Sequence, residues 1–462
     1  MKRGAPSFRP CSTLKGYDSM KVKSKGFCRT NNNLCMINNP RTEGFVLIKD
    51  ASDFLRPLIT GEDTRKVRKE IAAKYSVPEV EVTRDMLALY IQLANMGLIE
   101  ISSGPWKRIL HDPAIDAFQQ FPPSQGSEGA VSDFYESNNL LPDLHIDLTD
   151  ACTERCIHCY VPQGQCDFLP YDLVEKVLRE FREQQGLTVQ LSGGECMMHP
   201  DFARICRLSR KLDLNFIVLS NLTLCNEKII EVLKETDPQF VNVSLYSLAP
   251  EEHDAITQIR GSWKKTMAAI DACQQAGIHI RLATPLLKAN QHAYPALRKF
   301  AEERHVHLIP DCEIIPKCNG DCSNLNYACS PEEVEAVLRQ DKAFWDRGYG
   351  RGVIPSPKDK VCDIGKLLCL NSKGEYYPCS GMHGYVLGNA RNDTLTEVWR
   401  GEKMEYLRGL KNKDFPKCAG CEHRPFCKVC PAFNYNATGS LFETIPSKCA
   451  LAEVKHRVFG EK

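Results

Sequence analysis

Six short apolar runs, each followed by an amphipathic stretch, constrain this chain more than any other feature. They are "LHIDLT" at 144–149, "LTVQLS" at 187–192, "LNFIVLS" at 214–220, "FVNVSL" at 240–245, "IHIRLAT" at 278–284 and "VHLIP" at 306–310. Between them lie stretches such as "YDLVEKVLREFREQQ" and "SWKKTMAAIDACQQA", whose apolar residues recur at helical spacing. Strand–helix alternation makes consecutive strands parallel, because each helix carries the chain back across the sheet. Right-handed crossovers then wind the sheet doubly or curl it towards a barrel. In either case chemistry belongs at the C-terminal strand ends.

At the first of those ends stands "DLTDACTERCIHCY", residues 147–160. Its cysteines, Cys152, Cys156 and Cys159, are spaced x3 then x2. Three thiolates on one loop can converge on an inorganic centre while leaving one ligand position open, where four would close a structural site. A zinc site completed by Cys166 or His158 is the competing reading. At the second strand end stands "SGGE", Ser192 to Glu195.

The chain has 23 cysteines in 462 residues. The N-terminus "MKRGAPSFRPCSTLKGYDSMK" lacks a signal-peptide apolar segment, and no apolar run approaches the roughly 20 residues of a membrane span. A cytoplasmic location is therefore expected, and there the cysteine count points to metal or redox chemistry rather than disulfides. With 59 basic and 58 acidic residues the net charge is +1, which argues against nucleic acid or a membrane surface as partner. Cys206, Cys225 and Cys273, without cysteine neighbours in helix or strand patterns, are expected in the core.

CxxxCxxC after the first strand and GGE after the second together resemble the radical S-adenosylmethionine (SAM) superfamily, over residues 144 to about 310. The resemblance implies a partial (β/α)6 TIM-like barrel over 143–315. It further implies a [4Fe–4S] cluster on Cys152, Cys156 and Cys159, with SAM chelating the fourth iron and, after one-electron cleavage, taking a hydrogen atom from substrate. His158 would lie beside the adenine. Gly193, Gly194 and Glu195 would contact the methionine end, and Ser244, in "VNVSLYS", the ribose; Asn221 is a weaker candidate. Cys196 stands where the family usually has proline after GGE.

Further on, "CDIGKLLCLNSKGEYYPC" gives Cys362-x11-Gly374-x4-Cys379. "CAGCEHRPFCKVCPA" gives Cys418-x2-Cys421-x5-Cys427-x2-Cys430, with Cys449 after eighteen intervening residues. By spacing alone this could be a zinc ribbon. Behind a radical SAM core it resembles the SPASM extension, with x2 where the common form has x3. That implies a small iron–sulfur domain over 362–450 with two auxiliary [4Fe–4S] clusters, three clusters in all. Cys418, Cys421, Cys427 and Cys449 would hold the outer one. Cys362, Cys379 and Cys430 would hold the inner one, with Cys369 as a fourth ligand or a buried strand residue. Residues 316–361 bridge the two parts, and 451–462 are read as a tail. Cys312, Cys318, Cys322 and Cys329 match no known spacing; ligand, hydrogen-atom donor and loop cysteine stay open for them.

Ahead of the barrel, residues 1–37 are polar and read as a flexible extension carrying Cys11, Cys28 and Cys35. "GFVLIKD" reads as a strand, "DTRKVRKEIAAKYS" and "VTRDMLALYIQLANM" as helices, and Leu98–Ile101 as a strand. This winged-helix α+β pattern over 38–105 resembles the PqqD-like domain that captures leader peptides, by adding the peptide as a strand to a sheet edge. A DNA-binding winged helix is the rival, disfavoured because its would-be reading helix is mostly apolar. The Pro, Gly and Ser of 106–142 read as a linker. The whole then resembles a maturase of ribosomally made peptides, with a leader-bearing precursor as partner and flavodoxin or ferredoxin as electron donor. The outcome would be a thioether or other cross-link, or an epimerisation. A radical SAM–SPASM enzyme of the sulfatase-maturing or haem-pathway type, and a non-catalytic iron–sulfur or zinc regulator, are the alternatives.

Overall fold

The structure is a computed structural model and describes residues 21–31, 34–39, 44–49, 52–101, 134–162, 164, 166–349, 355–362 and 364–460. The chain divides into two compact units, 1–140 and 141–462.

The first unit is α+β. Strands β1 (Val22–Ser24), β2 (Phe27–Asn31), β3 (Leu34–Asn39) and β4 (Gly44–Lys49) precede helices Ser52–Thr60, Thr64–Tyr75 and Glu79–Asn95, and β5 (Ile99–Ile101) follows. β2, β3 and β4 form an antiparallel sheet with β3 central, and β1 pairs with β5. Asp63 caps the second helix, accepting the Arg65 N–H at 2.7 Å. The expectation of a flexible extension over 1–37 fails from Val22 onward. Average polarity misled, because a small sheet is decided by the few residues that reach the core. Cys28, Cys35 and Ile37 pack with Val46, Ile48, Val67, Ile71, Met86 and Tyr90. Cys28 and Cys35 are thus core residues, whereas Cys11 and most of the linker at 106–142 lie outside the described residues.

The second unit is built on six parallel strands: β6 (Asp143–Asp147), β7 (Thr188–Ser192), β8 (Asn215–Ser220), β9 (Val241–Ser244), β10 (Ile280–Pro285) and β11 (His307–Asp311). They pair in chain order without a reversal. That order is a partial barrel, since a doubly wound sheet needs a reversal point. On β6 the outward residues Leu144 and Ile146 are fully buried against Val174, Val177 and Phe181 of the covering helices. The inward positions are polar: His145 and Asp147 on β6, Gln190 and Ser192 beside them on β7, and Asn242 and Ser244 on β9. This alternation puts the chemistry inside.

The C-terminal region continues the same sheet. β12 (Leu367–Leu370) pairs parallel with β6, and β13 (Glu375–Tyr377) and β14 (Gly388–Asn389) follow antiparallel. Lys176 donates to the Ala390 carbonyl at 2.7 Å, and Glu180 accepts the Leu395 N–H at 2.8 Å, so a barrel helix holds the extension. The expected tail at 451–462 is no tail through Phe459. Helix Pro446–Phe459 runs through it and buries Val454, Val458 and Phe459, the two valines at the i, i+4 spacing of one helix face.

Candidate functional site

The three-cysteine loop leaves the end of β6 and is held from several sides. Arg155 N–H donates to Thr257 O at 2.9 Å and Ile157 N–H to Ile256 O at 3.0 Å, fixing it to a barrel helix. On the other side Gly194 N–H donates to Thr149 O and Glu195 N–H to Ala151 O, both at 2.8 Å. The glycines permit that contact. A Cβ on Gly194 would stand 2.3 Å from Ala151 O, and Gly193, at φ +123°, would place one 2.3 Å from Thr149 O. Gly193 and Gly194 are therefore first of all the seat of the cysteine loop.

Cys152, Cys156 and Cys159 share a cavity of about 450 Å³ with Gly193, Gly194, His158, Asn221 and Ser244. Burial pushes the Cys152 thiol up to about 12 and raises Cys156 and Cys159 as well. Without a cation these thiols stay protonated; a metal centre supplies the charge that makes thiolates of them. Asn221 donates to the Cys152 sulfur at 3.8 Å and to Thr153 Oγ1 at 3.0 Å. His158 meets Tyr246 edge-to-face at 5.1 Å, and burial lowers its pKa to about 4, so it is neutral. Cys166, the rival fourth ligand, lies on the same wall but is exposed.

Glu195 is a correction. Its side chain is fully buried and is not part of the cavity wall. Oε1 accepts the Met197 N–H at 3.0 Å and the Ser220 hydroxyl at 2.8 Å, while Oε2 accepts the Asn221 N–H at 2.8 Å. A glutamate so occupied ties the end of β7 to the end of β8.

The cavity fits a cluster and SAM on its own evidence. Three of its lining residues bury a polar atom that meets no partner among the described residues: Glu154 Oε1, His158 Nδ1 and Asn242 Oδ1. Buried polar atoms are nearly always hydrogen-bonded, so three orphans in one cavity mark a polar ligand's place.

A second cavity of about 200 Å³ gathers Cys418, Cys421, Cys427 and Cys449, the four read as outer-cluster ligands, with Cys430 beside them. Lys417, Arg424 and Lys448 are its other ionisable residues, and no carboxylate lines it among the described residues. That wall suits an anionic thiolate-bound cluster. Cys362, Cys379 and Cys430 pack with Cys418 on the small C-terminal core. Cys369 is fully buried on β12, between His145 on β6 and Tyr377 on β13, with Cys379 near enough to raise its pKa further after burial.

The four bridging cysteines do not meet the first cavity. Cys312 and Cys329 are buried in the barrel core, Cys329 donating to Leu286 O at 3.5 Å. The hydrogen-donor reading fails for these two. Cys318 donates to Tyr160 O at 3.1 Å, next to the cysteine loop, and Cys322 is half-buried.

Sequence reasoning missed a polar network between β6 and the C-terminal hairpin. His145 Nε2 lies 3.0 Å from Asp147 Oδ1, and the Tyr377 hydroxyl donates to Asp147 Oδ2. His383 Nε2 lies 3.6 Å from the same oxygen, its ring 4.4 Å from that of Tyr377. Burial works against both charges, but each partner outweighs it: His145 is raised and Asp147 lowered, an ion pair. The signal was the polar alternation in "LHIDLT".

Comparison with known proteins agrees with the geometry. Residues 146–301 match the radical SAM superfamily, and residues 362–422 match the iron-sulfur cluster-binding domain called SPASM. An AdoMet-dependent heme synthase from Methanosarcina barkeri is 27% identical over 336 residues, 65% of this chain and 94% of that protein. Streptococcus suis SuiB, solved bound to precursor peptide SuiA, superposes with a TM-score of 0.60 at 15% identity, over 93% of this chain and 98% of SuiB. The protein anSMEcpe, solved with AdoMet and the Cp18Cys peptide, gives 0.55 at 16% identity, over 68% of this chain and 96% of that one. At such identities the likeness is one of fold. The chain carries a radical SAM domain followed by a SPASM domain. It is a radical SAM enzyme, and its cofactors are SAM and [4Fe–4S] clusters, one at the SAM site and auxiliary ones in the SPASM domain.

Proposed function

We propose that this enzyme modifies a residue of a ribosomally made precursor peptide. The observation that carries the reading is the wall of the first cavity. Asp150, Glu154, Asp311 and Glu313 line it, Glu313 paired with Lys448 and Lys455 and Glu154 pushed up to about 7 by burial, against Arg155 as its one cationic lining residue among the described residues, His158 being neutral. Its volume lies within the range of about 300–1,000 Å³ that one drug-sized molecule fills. SAM takes much of that space. What remains suits a neutral or cationic side chain and disfavours a flat tetrapyrrole bearing several carboxylates, for which the wall offers one arginine.

Bound there, the cluster and SAM supply one-electron cleavage and hydrogen-atom abstraction. Cys152, Cys156 and Cys159 are the proposed cluster ligands, and His158, Asn242 and Ser244 the polar contacts for SAM and substrate. In the N-terminal unit β2 and β4 are the edges of the three-stranded sheet, and such edges accept an extended leader as a further strand. No helix among the described residues is long and apolar enough to cross a membrane. The proposed electron donor is a flavodoxin or ferredoxin, in the cytoplasm. The proposed outcome is an oxidative cross-link, for which an auxiliary cluster on the C-terminal cysteines would supply the acceptor for the second electron.

The test is a search for a short open reading frame beside the gene and co-expression of the peptide it encodes, followed by mass spectrometry. A cross-link lowers peptide mass by two hydrogens; an epimerisation leaves it unchanged in water and adds one deuterium in D2O. The sequence likeness to a haem synthase favours a second reading, tetrapyrrole chemistry. Consumption of an iron porphyrin by the enzyme, with the peptide untouched, would establish it instead.

A further inference from the structure

Two cysteines without cysteine neighbours along the chain meet in the fold. Cys225 and Cys273 are 48 positions apart, and their sulfurs lie 4.0 Å from each other. Cys273 is fully buried on helix Ser262–Gln275, in the barrel core. Cys225 is half-buried in the loop that follows β8, between exposed Leu224 and Asn226. Neither lines the two cavities described above, so neither competes for a cluster there. A disulfide holds its sulfurs about 2.05 Å apart, so closure from this contact takes about 2 Å of approach, a distance within side-chain rotation.

The loop that carries Cys225 supports the first cavity. Asn221 opens it, donating from its side chain to the Cys152 sulfur at 3.8 Å and from its backbone N–H to Glu195 Oε2 at 2.8 Å. The Asn221 carbonyl accepts the Thr266 hydroxyl at 2.8 Å, from the same helix that carries Cys273. Leu222 is buried with φ +61°, a left-handed backbone that a bulky residue holds only under strain. Its N–H donates to Ser220 Oγ at 2.9 Å, which fastens the turn. Local opening starts at such low-stability places. Thr266 ties one end of the loop to the helix, and the Cys225–Cys273 contact lies at the other end.

We propose that Cys225 and Cys273 form a reversible disulfide, with a small-molecule disulfide of the oxidised-glutathione class as oxidant, and that this bond clamps the Asn221 loop onto helix Ser262–Gln275. Cys225, the more accessible sulfur, is the entry point. Its thiolate attacks one sulfur of the oxidant, which forms a mixed disulfide and releases one small thiolate. The Cys273 thiolate then attacks the Cys225 sulfur and releases the second. The two protein thiols lose two electrons, the oxidant gains them, and the two protein protons end on the two released thiols. In a reducing compartment such a bond is transient and redox-sensing rather than structural. The inference is independent of which substrate the enzyme modifies and of which cysteines hold auxiliary clusters.

The experiment uses full-length, anaerobically reconstituted enzyme equilibrated with oxidised glutathione. One portion is quenched in acid, alkylated under denaturing conditions, digested and mapped by mass spectrometry. Another is moved to deuterated buffer, and exchange of the amides at 221–226 is followed. The expected result is a linked peptide pair containing Cys225 and Cys273, lost on treatment with dithiothreitol. Exchange at 221–226 is expected to slow about threefold or more in the linked protein and to recover on reduction. Cys225→Ser gives neither the linked pair nor the slowing; the wild-type comparison before and after dithiothreitol stands without it. Both cysteines recovered as free thiols, Cys225 recovered only as its glutathione adduct, or a linked pair without slowed exchange overturns the proposal. Slowing of equal size in Cys225→Ser overturns it too, because another thiol would then be responsible.

Discussion

Glu195 Oε2 accepts the backbone N–H of Asn221 at 2.8 Å, joining the ends of two neighbouring barrel strands. Ser220 and Met197 occupy the other oxygen. The glutamate of GGE thereby shapes the floor under the cysteine loop. Glu195→Gln turns one acceptor into a donor facing donors. Its expected effect is a loss of about 2–3 kcal/mol in unfolding free energy of the SAM-free protein, measured by chemical denaturation. A direct SAM ligand would behave differently: the apo-protein's stability would stay at the wild-type level and only SAM affinity would fall.

Gly194→Ala tests the seat of the cysteine loop. The new methyl would meet the Ala151 carbonyl, which is backbone and cannot rotate aside. The expected outcome is loss of the SAM-cleaving cluster, seen as an iron and sulfide content lower by one cluster, with auxiliary clusters retained. Full iron content with normal SAM cleavage would show that the loop has another support.

How much of this was legible in the sequence differs from part to part, for physical reasons. The six barrel strands and the three-cysteine loop could be read because period and spacing are local properties. Partial barrel against doubly wound sheet could not, since strand order is set by long-range pairing; β6 with β7 and β6 with β12 decide it. β3 was lost in a polar stretch because Cys35, Met36 and Ile37 are too short a run to outweigh the asparagines around them. The lysine pair on Glu313 joins residues 135 and 142 positions apart, and no local pattern announces it.

Asp143 supplies a pH dependence. Burial raises its carboxyl to about 7 from an ordinary 3.8, opposed by a hydrogen bond from Thr188. Between those values the folded state binds more protons than the unfolded one, so its contribution is fully present below pH 3.8 and lost as pH rises to about 7. Asp143→Asn has no proton to lose. In urea unfolding its advantage over wild type should grow across that window, by about 1.4 kcal/mol per pH unit at most, and level off above it. An advantage independent of pH would mean that the carboxyl is not buried enough to titrate late.

Deleting residues 1–105 should weaken binding of a leader-bearing peptide at least tenfold by fluorescence anisotropy, while SAM cleavage without peptide persists. Equal affinity in the truncated enzyme would assign the N-terminal unit another role.

The most direct test of the central claim counts 5′-deoxyadenosine against modified peptide. Reduced, reconstituted enzyme is supplied with SAM and a candidate precursor peptide from a short open reading frame beside the gene, alongside the Cys152→Ala, Cys156→Ala, Cys159→Ala variant. The expected result is 5′-deoxyadenosine in step with a peptide lighter by two hydrogens, and neither product from the variant, although its auxiliary clusters remain. Undiminished 5′-deoxyadenosine from the variant would contradict the site, and an unaltered peptide beside active SAM cleavage would contradict the substrate.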